Sequence, residues 1–151
     1  VDHALRREFA YAFSDVHYPG IPEIDLNRIH LEPFQIDALT FIPIQVYHLN
    51  MPVLGFRIGD FTYITDANRI EDAELEKIKG SRVLILNALR HTPHPSHYTL
   101  NEALALADQL EIPEVYFTHI SHQLGKHEEI CAGLPAGRAL AFDGLKINIQ
   151  V

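Results

Sequence analysis

The chain has 151 residues, 47% apolar and 21% charged, an ordinary globular composition at the length of one domain. A formal charge of −8 with no basic stripe argues against a surface that tracks nucleic-acid phosphates. No apolar run approaches the roughly 18 residues that cross a bilayer, and the single cysteine, Cys131, excludes an internal disulfide and a thiolate zinc cluster, so the expected location is cytoplasmic.

Leu5, Phe9 and Ala12–Phe13 at helical spacing, with Arg6, Arg7 and Glu8 between them, predict an amphipathic helix over 4–13. Tyr18-Pro19-Gly20-Ile21-Pro22 reads as a turn. From Asp25 to Thr65 the pattern changes to short runs rich in Ile, Val, Phe and Tyr. These predict strands at 26–31, 35–39, 42–47, 52–58 and 62–65, with Gly59-Asp60 as a tight hairpin turn. The first half is therefore an antiparallel meander.

Helices and strands alternate after it. A charged helix over 70–79 is stopped by Gly80, and residues 82–86 form a buried apolar strand. Thr99-Leu100-Asn101-Glu102 is a capping box that opens an alanine-rich helix to Leu110, bounded by Pro113. A strand at 115–118 and a helix over 127–132 follow. Asp143-Gly144 joins strands at 139–142 and 145–149 into a terminal hairpin. The expected fold class is α/β, a sheet layered with helices, over residues 1–151 and without a second domain.

Ten histidines are the compositional anomaly, and six of them (His91, His94, His97, His119, His122 and His127) fall between positions 91 and 127. Three candidate metal ligands leave strand ends: His48 after Val46-Tyr47, Asp66 after Tyr63-Ile64-Thr65, and His119 in Phe117-Thr118-His119-Ile120-Ser121-His122. Rigid strands aim such side chains, and imidazole with carboxylate suits zinc, manganese or iron. A carboxylate can also bridge two cations. Taken singly, His48 reads more readily as a partly buried histidine satisfied by backbone, Asp66 as a turn or capping aspartate, and His119 less readily as the chance neighbour of a capping Ser121.

The segment His91-Thr92-Pro93-His94-Pro95-Ser96-His97 carries two prolines and is expected to be a rigid loop. Its His97 is the candidate general acid, against the reading of an exposed loop histidine. His91 and His94 would alternatively join His97 in a separate metal clip that lacks an obvious fourth ligand. His122, Asn87 and the pair His127-Glu128 are candidates for support around the site, or ordinary surface and capping residues. Cys131 reads as a small buried residue.

These features resemble the C-terminal half of the metallo-β-lactamase superfamily, in the branch that includes the cyclic-phosphate phosphodiesterase of the carbon–phosphorus lyase pathway. The resemblance runs from Leu26 to the end. It implies an αββα sandwich and a two-metal hydrolase site, with His48 on one metal, His119 on the other, Asp66 bridging, and His97 protonating the leaving group. It gives His122 and His127 supporting positions only. The substrate implied is a small-molecule phosphodiester, and the cofactors are two divalent ions, zinc or manganese and alternatively iron.

The family's His-x-His-x-Asp-His motif, which supplies four of its ligands, is absent from the sequence. The expectation is therefore a partial domain, the C-terminal part of a longer hydrolase, truncated at its N-terminus. Alone it would bind metal weakly and turn over poorly. Its uncovered sheet would favour a homodimer or aggregation. Rival readings are a non-catalytic module that keeps the fold, a lactone or thioester hydrolase, and a single-metal protein built on the His91–His97 loop.

Overall fold

The computed structural model describes residues 1–14 and 19–149, which form two compact units, Val1–His30 and Leu31–Val151. In the first unit, helix α1 (Asp2–Glu8) is held by Asp2, which accepts from Arg6 at 2.7 Å and from Arg28 at 3.0 Å. Those two guanidiniums, Arg28 first, hold the Asp2 carboxyl below its usual range. The helix is shorter than its periodicity predicts. Phe9 leaves helical geometry at φ −114°, and Ala10–Phe13 continue as a 3-10 turn. The expected turn at Pro19-Gly20 is present, while Tyr18 lies outside the described residues. No strand forms at 26–31. Its apolar residues Leu26, Ile29 and Leu31 do not alternate strictly, the segment finds no ladder partner among the described residues, and an extended segment without one is not a strand.

The second unit is built on one mixed sheet. Strands β1 (Phe34–Ile36), β2 (Leu39–His48), β3 (Met51–Ile58) and β4 (Phe61–Ile64) form the antiparallel meander, and the short β5 (Arg69–Ile70) pairs with β2. Asp37, at φ 51°, separates β1 from β2 where one strand over 35–39 is predicted. Helix α2 (Asp72–Ile78) then leads to β6 (Val83–Asn87), α3 (Leu100–Gln109) to β7 (Glu114–Thr118), and α4 (His127–Gly133) to β8 (Arg138–Leu140). The sheet order is β1-β2-β3-β4-β6-β7-β8, parallel from β4 onward. Parallel neighbours need crossovers, and the three helices supply them.

Apolar alternation fixes which face is covered. Ile44 and Val46 of β2, Ile64 of β4, Leu84 and Leu86 of β6, and Val115 and Phe117 of β7 are all fully buried. They share one core with Leu75 and Ile78 of α2 and Leu100, Ala103 and Ala107 of α3. The predicted capping box is formed: Glu102 N donates to Thr99 Oγ1, and Thr99 N donates to Glu102 Oε2 at 2.7 Å. Gly80 stops α2 as predicted, with φ +79°. Among the described residues no helix is long and apolar enough to cross a membrane.

The opposite face is different. Tyr63 and Phe142 are 43% and 58% exposed, and they line a shallow apolar depression with Phe61, Ile85, Leu145 and Ile147. The terminal hairpin is not formed. Asp143-Gly144 turns, but β8 ends at Leu140 and pairs in parallel with β7, while residues 145–149 make no ladder among the described residues. Arg82 instead donates to the Asn148 carbonyl at 2.6 Å. Register with a neighbour buried elsewhere in the sheet outweighs the local hairpin signal.

Gly137 sets the start of β8. It sits at φ +75°, and its carbonyl accepts from Val115 N at 2.8 Å. A Cβ there would lie 2.3 Å from the Pro113 carbonyl oxygen. Gly137→Ala is expected to cost about 2–4 kcal/mol by the sum of clash and left-handed strain. Urea denaturation checks this, and a loss below about 1 kcal/mol would contradict the close approach.

Candidate metal centre

The direction of the strands gathers the candidate residues. β2 is antiparallel to β3 and β3 to β4, so β2, β4, β6 and β7 all run the same way. Their carboxyl ends lie along one edge of the sheet, where open α/β sheets bind ligands. His48 is the last residue of β2, Asp66 follows β4, His97 lies between β6 and α3, and His119 follows β7.

Each strand end is held by main-chain or amide bonds. Leu49, at φ 59°, donates to Asn68 Oδ1 at 2.8 Å, and Asn68 N donates to the Tyr47 carbonyl at 2.9 Å. Asp66 and His119 take left-handed backbone, φ 54° and 59°, which non-glycine residues hold only where their surroundings impose it. Arg90 donates to the carbonyls of Thr92 and Pro93 and to Gln123 Oε1, so it ties the His91–His97 loop to the loop after His119.

The four predicted side chains converge. His97 Nε2 lies 3.2 Å and His119 Nε2 3.3 Å from the same oxygen, Asp66 Oδ1. The His97 and His119 rings stack at 4.7 Å, and the His48 ring meets His97 edge-on at 4.8 Å. Donor atoms of His48, Asp66 and His97 all lie within 4.8 Å of one another. His97 is only 9% exposed, which removes the reading of a solvent-facing loop histidine.

Burial pushes His97 below its ordinary value, and neighbouring His119, His48 and His94 act the same way against the opposing Asp66 bond. The carboxylate is an acceptor, which assigns the proton of a neutral His97 to Nε2. Its Nδ1 is then free to accept from Ser96 Oγ at 3.0 Å or His94 Nδ1 at 3.1 Å.

A family model for the beta-lactamase superfamily domain matches residues 1–120, which include all four convergent side chains. The chain belongs to the beta-lactamase superfamily. A crystal structure of a diphosphatase from the PhnP family is 39% identical, with a TM-score of 0.88, over 99% of this chain and 56% of that one. The metallo-β-lactamase fold protein YhfI of Bacillus subtilis, 17% identical, shares the fold with a TM-score of 0.68 over 92% of this chain and 59% of its own. An octanoyltransferase of Porphyromonas gingivalis is 34% identical over 149 residues, 97% of this chain but 30% of that protein. The chain thus spans about half of the diphosphatase and less than a third of the octanoyltransferase.

Within this superfamily member the donor set fits a divalent ion. Imidazole and carboxylate, here His48 in reach of Asp66 and His119 on an Asp66 oxygen with His97 beside them, are the donor types that hold a catalytic zinc ion. The same donors suit manganese and iron.

Several supporting residues stand elsewhere than the sequence suggests. His94 is no separate clip with His91. Its ring sits 4.9 Å from His97, while His91 and His122 are exposed. His127 is committed to the Leu140 carbonyl at 3.2 Å and lies against Cys131 Sγ, so it braces α4 against β8. Cys131 is half-buried rather than fully buried. Asn87, by its sequence a candidate for support around the site or else a surface or capping residue, is fully buried. The signal for it was a polar residue closing the apolar run Val83-Leu84-Ile85-Leu86.

Proposed function

We propose that this chain carries the C-terminal part of a metal-dependent hydrolase that cleaves a small-molecule phosphodiester at a centre of two divalent ions. The observation that carries the reading is the convergence of His97 and His119 on one oxygen of Asp66, with His48 in reach of the same group. Asp66, with two oxygens to offer, would be shared between the ions, and His48 and His119 would each hold one of them. Zinc or manganese, alternatively iron, would supply Lewis acidity there against charge developing on the phosphoryl oxygens. His97 holds a proton at Nε2 and gives it to the leaving oxygen. Phosphoryl over lactone or thioester chemistry is supported by the 39% identity to a diphosphatase. The compartment we propose is the cytoplasm, consistent with one cysteine in the whole sequence.

Asp66→Asn in the full-length protein tests the reading. Asparagine tolerates left-handed backbone as aspartate does, so the variant removes ligand charge without adding strain. Wild-type protein is expected to hold about two metal ions per chain by plasma emission spectroscopy and to cleave bis(p-nitrophenyl) phosphate. The variant should lose at least about 100-fold in metal affinity, more than is usual for residues that only support a ligand, and lose hydrolysis with it. A full-length protein that carries both metals and cleaves no phosphodiester would overturn the proposal. Turnover of lactones or thioesters instead would move the substrate assignment.

A further inference from the structure

The ladder between β4 and β6 stops at the pair Ile64 and Leu86. One residue on, Asn87 takes over from the main chain. Its Oδ1 accepts from Ala67 N and its Nδ2 donates to the Ala67 carbonyl, both at 2.9 Å, in a site of 0% exposure. A carboxamide bonded twice to one residue replaces a ladder rung while leaving the chain free to turn. The residue that turns is Asp66, at φ 54°.

The same peptide serves a second candidate residue. The Ala67 carbonyl also accepts from Tyr98 N at 2.9 Å, directly after His97. The main chain of Asn87 pairs with Thr118, directly before His119, and Ala88 N donates to the Thr118 carbonyl at 2.9 Å. Asn87 is therefore the point where the segments bearing Asp66, His97 and His119 are joined. Left-handed aspartate persists only while its surroundings over-determine it. Without the carboxamide, Ala67 N loses its buried partner and Asp66 can relax toward extended backbone, carrying its oxygen away from both imidazoles.

We propose that Asn87 is a positioning residue, whose carboxamide fixes the Asp66 turn and through Ala67 the place of His97 against it. The role in the reaction rests on the hydrolase reading above, but the geometric part does not.

The test compares the full-length protein with Asn87→Leu, which keeps the size and removes the polar atoms, and with Asn87→Ser, a milder variant should leucine prevent folding. Thr62→Val is the control, since it removes a different buried bond of the same sheet, Thr62 Oγ1 to Ser81 Oγ at 2.7 Å. In metal-free protein, imidazole nitrogen–proton correlation spectra should show the His97 Nε2 proton in wild type and in Thr62→Val. It should be lost in Asn87→Leu and weakened in Asn87→Ser. Manganese affinity by titration calorimetry should fall about 10- to 100-fold in Asn87→Leu and under about twofold in the control. An Asn87→Leu or Asn87→Ser protein that melts lower, yet keeps the wild-type imidazole spectrum, would reduce Asn87 to a fold-stabilising residue and overturn the proposal. If wild type binds none of manganese, zinc or iron, the hydrolase reading fails, while the metal-free spectra still decide the place of Asn87.

Discussion

Replacing His97 with alanine in the full-length protein is expected to lower kcat by about 10²- to 10⁴-fold on a phosphodiester whose leaving alkoxide needs a proton. On bis(p-nitrophenyl) phosphate, whose leaving phenolate is stable as an anion, the loss should be much smaller. That contrast follows from placing a buried imidazole, its Nε2 3.2 Å from Asp66, as the proton donor. Equal losses on both substrates would instead make His97 a ligand or a purely geometric element. Metal content, measured alongside, separates those two outcomes.

The depressed His97 value also sets a pH dependence of stability in the metal-free protein. Its unfolded value is the ordinary 6.5 and its folded value lies lower. Between the two, the unfolded chain binds more protons, so stability rises with pH there. The contribution is complete above pH 6.5 and is lost as the solution is acidified toward the folded value. Urea midpoints from about pH 8 to about pH 5 should fall less steeply in His97→Gln than in wild type. Matching slopes would show that burial does not disfavour the imidazolium.

Phe117→Ala is the largest stability change expected, about 3–5 kcal/mol. Phe117 is fully buried, lies on β7 opposite Leu86 of β6 and Leu140 of β8, and belongs to the main core. Truncation leaves a cavity between strands whose backbones are fixed by ladders on both sides, so collapse around it is limited. Phe142→Ala, at a ring 58% exposed, should cost under about 1 kcal/mol and serves as the comparison. Because His119 lies two residues beyond Phe117, the alanine variant should also weaken metal binding at temperatures where it remains folded. Similar urea midpoints for the two alanine variants would refute the packing argument.

The readable parts of this protein carry short-range signals. The capping box at Thr99 and Glu102, the stop at Gly80 and the hairpin at Gly59-Asp60 each involve groups a few residues apart, and all three form as expected. The strand ends at His48, Asp66 and His119 were legible for the same reason, since apolar alternation ends where the polar residue begins. The segments 26–31 and 145–149 carry apolar residues yet make no ladder among the described residues, because a strand exists only with a partner and partners are chosen at long range.

The sequence by itself determined the residue types of the site, the strand ends they would leave from and the family resemblance that the match over residues 1–120 bears out. Only the tertiary structure decided that two imidazoles share one oxygen of Asp66, that His97 is buried, that His94 stands against it, and that Asn87 is the amide joining their segments. The first set depends on local backbone preference and on side-chain chemistry, which a linear pattern carries. The second depends on which strand ends meet in space and how much water they exclude, and both are properties of the packed sheet.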